Sequence, residues 1–236
     1  MKLIHISAAM SLDGHIDDQT DNPLRLSTPE DLHDMYAARS KCDAVLVGAK
    51  TVRQHNPSLT CHSDKLVSER LQRGQTAEPI KVTITHSGNL DPQSDFFVQG
   101  DGQKIILCPV HSTMTVNKQL ASAAKIILVE QINANNIVRT LEKLGIQSLF
   151  VEGGASILTM FLSDGLFHRL RLAIAPFFVG DSKAPKLVND AVFKNDNQNR
   201  LTITDVRIVG NMAVLDIVNE GYSSQSREHT RIEPRT

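Results

Sequence analysis

The sequence predicts an α/β domain, in which a mostly parallel central sheet is flanked by helices and closed by an antiparallel C-terminal hairpin. Three observations support this fold class. Short apolar runs alternate with stretches of helical periodicity along most of the 236 residues. The apolar runs contain few polar positions, as strands do when helices cover both faces of a sheet. The last two runs are separated by Gly210-Asn211, a turn signal that is typical of a hairpin.

The composition fits a globular protein with one substantial core. Of the residues, 41% are hydrophobic and 22% are charged, and the formal net charge is −1. This balance argues against nucleic acid or an anionic membrane as the main partner. No apolar run reaches the ~18 residues of a membrane span, and the N-terminus does not resemble a signal peptide. The widely spaced Cys42, Cys61 and Cys108 are expected to be reduced thiols of a cytoplasmic protein.

The first part of the chain predicts a strand, a helix and a second strand. Lys2–Met10 is the first strand and Asp43–Gly48 is the second, which runs directly into a further helix. Between them lies "STPEDLHDMYAARSK", where Ser27 or Thr28 is expected to cap a helix and Pro29 to occupy its first position. The two acidic residues that follow the proline complement the positive end of the helix dipole.

The remaining elements continue the alternation. Four further strands are predicted at Ile80–Thr85, Lys104–Cys108, Lys125–Val129 and Ser148–Val151. Asn133–Gly145 predicts a helix that ends at a capping glycine, and "ASILTMFLSDG" predicts an apolar helix. The polar segment His62–Glu78 is interpreted as an excursion loop with a helical turn. We expect one domain over residues 1–218 and a polar, flexible tail over 219–236.

Four strand-to-helix junctions are candidate ligand sites, because ligands bind at the carboxyl ends of parallel strands. They span residues 9–14, 47–53, 84–88 and 152–156. In the last of them, Glu152 precedes Gly153-Gly154, and these glycines allow a phosphate to approach the backbone at the start of the next helix. An ordinary tight turn explains the same glycines equally well. The signatures of nucleotide-binding loops, hydrolases, zinc proteases and zinc deaminases are missing, so no metal site is predicted.

The second junction contains residues suited to a phosphorylated ligand. Thr51 can donate a hydrogen bond to a phosphate oxygen and Lys50 can neutralise it, although both residues are also ordinary in a first helical turn. A basic cluster is expected from Arg39, Arg53, His55 and His62. In the first junction, Asp13 lies in "SLDG", where aspartate commonly forms a turn.

The ordered set of motifs resembles a known family. The segments "AAMSLDG", "LRLSTPEDL", "AARSKCDAVLVGAKTV", "NPSLT", "VEGGASI" and "RLAIAPFFVG" are similar, in order and spacing, to the reductase domain of riboflavin biosynthesis. The similarity extends from Lys2 to about Val218 and is greatest with the stand-alone pyrimidine reductases. It implies a dihydrofolate-reductase-like fold, a homodimer, and an NADPH-dependent enzyme that reduces the ribosyl group of a phosphoribosylaminopyrimidine to a ribityl chain.

The resemblance also implies the site residues. Those expected at the cofactor are Ala9, Asp13, Gly48, Thr51, His55, Ser87, Gly153, Gly154, Ala155, Ser156, Ile157 and Leu158. Those expected at the substrate are Arg25, Arg39, Leu59, His62 and Glu152. Glu152 and His55 are the catalytic candidates, and Lys50 and Arg53 suit the 2′-phosphate that distinguishes NADPH from NADH. The resemblance does not decide whether the pyrimidine is deaminated before it is reduced.

The chain departs from the family pattern at two positions. His55-Asn56-Pro57 stands where the family often has Asp-Asp-Pro or Asp-Asn-Pro, and His62 stands where arginine is common. We therefore expect phosphate binding to be weaker or to depend on pH. Two alternatives remain open at this point. The first is a dihydrofolate or pteridine reductase using Glu30, Asp31 or Asp34, although the chain lacks the tryptophan usual in dihydrofolate reductases. The second is a non-catalytic NADPH-binding homologue.

Overall fold

A computed structural model of the chain describes residues 1–20, 22, 24–111 and 118–222. In chain order the elements are β1 (Leu3–Ser11), α1 (Pro29–Arg39), β2 (Ala44–Gly48), α2 (Ala49–His55), α3 (Asp64–Gln72), β3 (Ile80–Ile84), α4 (Asp95–Val98), β4 (Lys104–Pro109), α5 (Lys118–Ala123), β5 (Lys125–Val129), α6 (Ala134–Lys143), β6 (Ser148–Gly153), α7 (Ala155–Ser163), β7 (Arg169–Ala175), β8 (Thr202–Val209) and β9 (Met212–Val218). In this part of the chain, no helix has the length and apolar character that crossing a membrane requires.

The strands form one sheet in the order β5-β4-β3-β2-β6-β1-β7-β9-β8. From β5 to β7 all neighbours are parallel. At the other end, β9 pairs antiparallel with β7, and β8 pairs antiparallel with β9. Gly210, at φ 59°, lies in the turn between the last two strands. The predicted mostly parallel sheet with a C-terminal hairpin is therefore confirmed.

Local sequence signals account for the helix ends. The Thr28 side chain caps α1 by accepting the Asp31 amide at 3.3 Å, and Pro29 opens the helix. Asn133 caps α6 in the same way, through the Asn136 amide at 2.8 Å. These caps satisfy amides that have no partner inside the helix, which explains why the predicted boundaries agree closely with the observed ones.

The core lies on both faces of the sheet, as alternation along β6 illustrates. Leu149 and Val151 belong to a buried cluster that includes side chains of α6 and α7. Phe150 points to the opposite face, where its cluster includes side chains of α1, α2 and α4. Burial on both faces explains why the strand reads as a continuous apolar run.

The polar segment His62–Glu78 has more structure than the predicted loop with a helical turn. It contains the nine-residue helix α3, which buries Leu66 and Arg70. Arg70 donates to the backbone oxygens of Ser40 and Cys42, at 2.8 and 2.6 Å, just beyond the end of α1. A long side chain that satisfies buried carbonyls is a tertiary contact, so polarity along the sequence gives no sign of it.

The first residues of the predicted tail lie against the domain. Asn219 is 4% exposed, and its side chain donates to the Gly165 carbonyl at 2.9 Å. The Tyr222 ring meets His168 edge-on, with 4.6 Å between the ring centroids. The rest of the predicted tail, residues 223–236, lies outside the described residues.

Candidate active site

The four predicted junctions lie at one edge of the sheet. Strands β3, β2, β6 and β1 are consecutive neighbours and run parallel, so their carboxyl ends meet at this edge. The edge therefore brings together residues that are distant in the sequence. Ala9 lies near the end of β1, where it pairs with Ala173 of β7.

Glu152 occupies an irregularity in β6. Leu46 of β2 pairs with Val151, whereas the next residue, Val47, pairs with Gly153, so Glu152 is an extra residue on its strand. Such a bulge re-aims a side chain and ends regular pairing. Gly153 follows at φ 97°, a conformation that favours glycine. The charge at the end of an apolar strand is thus directed towards α1 by the local backbone.

Arg39, the last residue of α1, binds the Glu152 carboxylate in a bidentate ion pair. Its Nε donates to one carboxylate oxygen and its Nη2 donates to the other at 2.8 Å. Its Nη1 donates to the Thr60 carbonyl at 2.7 Å. The side chains are 4% and 12% exposed, which makes this a largely desolvated pair at the site. The sequence analysis predicted both residues but not their contact.

The loop after α2 completes this side of the site. Three of its non-glycine residues, Asn56, Leu59 and His62, adopt positive φ angles of 42°, 54° and 54°. Backbone strain of this kind clusters at functional sites. The His62 ring stacks on Tyr36 with 4.4 Å between centroids, and Arg39 lies 5.0 Å from the centroid of the same tyrosine ring.

The His62 ring is held in a partly buried position. Its Nε2 is 3.0 Å from the Ser58 hydroxyl. Burial lowers the pKa of His62, and the charge of Arg39 lowers this pKa further, so the imidazole is neutral at pH 7. Arginine at this position would carry a permanent charge, which His62 does not. Tyr36 was not predicted at the site, although its spacing from Arg39 placed both residues on one face of the helix.

The opposite side of the site is the start of α7. Gly154 occupies the N-cap position without a side-chain cap. Within the described residues, the amides of Ala155 and Ser156 have no acceptor, so they are available to an anion. The Gly154 amide itself donates to the Thr51 hydroxyl at 3.2 Å. This bond joins the second and fourth junctions, which lie at the same edge of the sheet.

The other predicted positions of this helix face the interior. Ile157 and Leu158 are 6% and 1% exposed, and their amides donate to the Gly154 carbonyl, both at 3.0 Å. Their side chains and amides are thus already engaged by the protein. A Cβ on Gly154 would lie 3.0 Å from the Thr51 hydroxyl oxygen, so the glycine keeps a cradle open at the helix start. Gly48, the N-cap of α2, lies close to the same helix, because a Cβ on it would lie 3.2 Å from Ile157 Cγ1.

His55, the last residue of α2, pairs with a residue that the sequence analysis did not single out. Its Nε2 lies 3.3 Å from the Asp17 carboxylate, in the connection after β1. Both side chains are partly buried, with 32% and 16% exposed. No local signal identifies Asp17, because its partner lies far along the chain.

The Asp13 carboxylate is occupied by the fold. It accepts the Ser11 hydroxyl at 2.5 Å and the amides of Val179 and Gly180 at 3.1 and 2.8 Å. These hydrogen bonds, led by that of Ser11, hold the pKa of Asp13 well below its usual range. The Asp13 side chain thus fastens the loop after β7 to the end of β1.

Some predicted residues lie apart from these contacts. Ser87 is exposed, and its hydroxyl accepts the Asn89 amide at 3.3 Å. Arg53 is exposed and donates to the Asn89 carbonyl at 3.2 Å, which ties α2 to the loop after β3. Lys50 and Arg25 are exposed, and no contact within the described residues joins Arg25 to Arg39 or Glu152. Of the expected basic cluster, Arg39 and His62 meet at the Tyr36 ring, whereas Arg53 bonds to Asn89 and His55 contacts Asp17.

The acidic residues of α1 face a different partner. Asp31 and Asp34 both pair with Arg171 of β7, and Asp34 also pairs with Arg207 of β8 at 2.9 Å. The Arg171 and Asp31 side chains are 3% and 2% exposed. This network buries charge between the helix and the sheet and leaves neither carboxylate unpaired. Among the described residues, no group of His, Cys, Asp or Glu converges as metal ligands would.

Comparison with known proteins identifies the family of this chain. The family model of the RibD C-terminal domain matches residues 2–215. A 2,5-diamino-6-ribosylamino-4(3H)-pyrimidinone 5′-phosphate reductase of Archaeoglobus fulgidus is 26% identical over 194 residues, which are 80% of this chain and 87% of that protein. The riboflavin biosynthesis protein RibD of Bacillus amyloliquefaciens is 27% identical over 195 residues, 81% of this chain and 50% of the relative.

Solved structures show the same fold. A pyrimidine reductase-like protein of Corynebacterium diphtheriae superposes with a TM-score of 0.77 at 18% identity, covering 92% of this chain and 91% of that one. RibD of Acinetobacter baumannii gives a TM-score of 0.75 at 21% identity, covering 92% of this chain and 58% of that one. The dihydrofolate-reductase-like fold expected from the resemblance is confirmed. With a family model that matches nearly its whole described length, the chain belongs to the RibD C-terminal domain family.

Proposed function

We propose that this protein is an NADPH-dependent reductase that converts the ribosyl group of a 5-phosphoribosylaminopyrimidine to a ribitylamino group in riboflavin biosynthesis. Family membership supports an oxidoreductase of this class. The names of the curated relatives, which include reductases of a diaminoribosylaminopyrimidinone phosphate, support the substrate. The observation that carries the proposal is the Arg39–Glu152 pair immediately before the Gly153-Gly154 turn, because it places a substrate side and a cofactor side next to each other.

The start of α7 fits a nicotinamide dinucleotide. Two amides without acceptors and a cradle that a Cβ would narrow suit a pyrophosphate at the helix N-terminus. In the proposed arrangement Ala155 and Ser156 donate to the pyrophosphate, Thr51 lines the cradle, and Lys50 and Arg53 supply positive charge for a 2′-phosphate. When bound, NADPH supplies the hydride that reduces C1′ of the opened sugar.

The substrate side is the surface formed by Glu152, Arg39, His62 and Tyr36. In the proposal Arg39 fixes the Glu152 carboxylate, which accepts hydrogen bonds from hydroxyl groups of the sugar chain and so orients C1′. The neutral His62 and the neighbouring loop, including Leu59, provide the contacts for the substrate phosphate. Because His62 carries no charge at pH 7, the phosphate is held by hydrogen bonds more than by ion pairing.

The arrangement of α1 favours this function over a dihydrofolate reductase. The dihydrofolate alternative needs an available carboxylate on α1, and Asp31 and Asp34 are both ion-paired with Arg171. Glu30 lies in the first turn, where hydrogen bonds from its own amide and from Thr28 lower its pKa. A carboxylate held ionised in this way is a poor proton donor. The sugar-phosphate function needs none of these three groups.

Oxidation of NADPH by the purified protein tests the proposal. We expect oxidation with the diaminopyrimidinone ribosyl phosphate or its deaminated counterpart, none with dihydrofolate, and a lower rate with NADH. Binding of NADPH, measured by its fluorescence, is followed in parallel. Turnover of dihydrofolate alone would support the pteridine alternative, and NADPH binding without turnover of any of these compounds would support the non-catalytic one.

We also propose that the protein is a cytoplasmic homodimer. Cys42 and Cys61 are buried free thiols, as is usual in a reducing compartment. The edge strand β8 exposes Val206 and Ile208 at 63% and 82%. An exposed apolar edge favours pairing with another chain, here a second copy. Sedimentation equilibrium is expected to give the dimer mass for the wild type and the monomer mass for Val206→Lys; a monomeric wild type at micromolar concentration would contradict the proposal.

A further inference from the structure

The contact between His55 and Asp17 joins two elements on opposite sides of β6. Helix α2 follows β2 directly, and Asp17 lies in the connection that follows β1. In the sheet, β6 lies between β2 and β1. The contact therefore crosses the carboxyl end of β6, where the Gly153-Gly154 turn begins α7.

Helical geometry places His55 on the side of α2 that faces the start of α7. Thr51 and His55 are four residues apart, so their side chains share a face of the helix and are separated by about 6 Å along its axis. Thr51 contacts the Gly154 amide at 3.2 Å. His55 therefore lies one turn further along α2, on the face that carries Thr51.

Asp17 is held firmly on the other side. Its second carboxylate oxygen accepts the amides of Asp18 and Leu24, at 3.0 and 3.3 Å. The position of His55 is fixed by the end of α2, where Asn56 accepts the Asp95 amide at 2.7 Å through its side chain. These two side chains, anchored independently, are joined at 3.3 Å and so connect the end of α2 to the segment after β1.

We propose that the His55–Asp17 pair is a clasp over the nicotinamide cofactor site, which must open for the cofactor to enter or leave. This inference rests on the proposed function, because it takes the ligand at the start of α7 to be NADPH. Asp17 is a positioning residue in this account, since it acts by holding His55. Weakening the clasp raises the rates of association and dissociation together and leaves the affinity nearly unchanged.

The test is stopped-flow fluorescence of NADPH with the purified full-length protein. Loss of one partly buried side-chain contact predicts that Asp17→Asn raises both the association and the dissociation rate constants about fivefold. His55→Gln is expected to have the same effect, and the double variant is expected to add nothing, because each single change already opens the clasp. Asp18→Asn is the matched control: it removes a neighbouring carboxylate that bonds to Thr20 rather than to His55.

The outcomes separate the clasp from its alternatives. A faster dissociation with unchanged association would identify the pair as a direct ligand contact and overturn the clasp. Unchanged rate constants with a lowered melting temperature would make the pair a structural brace, which overturns the inference as well. Failure of the wild-type protein to bind NADPH would overturn the proposed function and the inference together, whereas binding with unaltered kinetics in the variants overturns the inference alone.

Discussion

Replacing Arg39 by methionine tests whether the buried ion pair of the candidate site is organised as described. The guanidinium makes two hydrogen bonds to Glu152 and one to the Thr60 carbonyl, and its side chain is 4% exposed. Methionine keeps most of the apolar stem but leaves the Glu152 carboxylate without a partner at 12% exposure. Removing one member of a buried pair costs about 3–5 kcal/mol of the free energy of unfolding. For a domain of this size, that lowers the melting temperature by about 10 °C.

The assay is urea denaturation followed by circular dichroism, with two further variants for comparison. Arg53→Met is the matched control, because Arg53 is exposed and makes a single 3.2 Å bond to a carbonyl, so a change below about 0.5 kcal/mol is expected. Combining Arg39→Met with Glu152→Gln is expected to recover much of the loss, since no buried charge is then left unpaired. A stability of Arg39→Met equal to that of the control would refute the buried pair.

Two further predictions concern the backbone conformation at Gly153 and the protonation of His168. Gly153→Ala is expected to destabilise the protein by about 2 kcal/mol or more, because φ is 97° and a Cβ would lie 3.0 Å from Leu158 Cγ. Gly14→Ala is the control: φ is 84° but nothing lies within 4 Å of the added Cβ, so a cost of only about 1 kcal/mol is expected. Equal melting temperatures of the two variants would contradict this prediction. Burial lowers the pKa of His168 from 6.5 to about 4, helped by the charges of the N-terminus and Arg169, while its Nδ1 accepts the Ile4 amide at 2.9 Å. The folded-state pKa lies below the unfolded value, so this contribution to stability is complete above about pH 6.5 and is lost as the pH falls through about 4. The melting temperature should therefore fall over that interval in the wild type and fall less steeply in His168→Gln; parallel pH profiles would exclude this role of His168.

Much of the fold was predictable because the central strands are buried on both faces. A run such as Ala44–Gly48 has no polar position to obscure it, and Thr28 and Asn133 mark the start of their helices through their own side chains. Helix α3 was underestimated because its exposed face is polar and its buried contacts include a charged residue, Arg70. Hydrophobic periodicity does not reveal a helix that buries a guanidinium.

The position of the candidate site at one edge of the sheet was predictable from the sequence, but its side-chain contacts were not. The topology of parallel strands brings Thr51 and Gly154 together, and these residues follow their strands directly. The bulge at Glu152 and the pairing of His55 with Asp17 depend on how distant segments meet, which no local pattern encodes. For the same reason, Ile157 and Leu158 were assigned to the site, although their side chains are packed in the core.

In the proposed site, Glu152 serves the substrate, whereas the glycines beside it serve the cofactor. The direct test is to measure turnover and NADPH affinity of Glu152→Gln, with the exposed Glu130→Gln as the control. We expect kcat/KM for the ribosylaminopyrimidine phosphate to fall about a hundredfold, which is the effect of a lost charge-assisted hydrogen bond, and the Kd for NADPH to change by less than about twofold. A large loss of NADPH affinity, or turnover equal to that of the control, would contradict it.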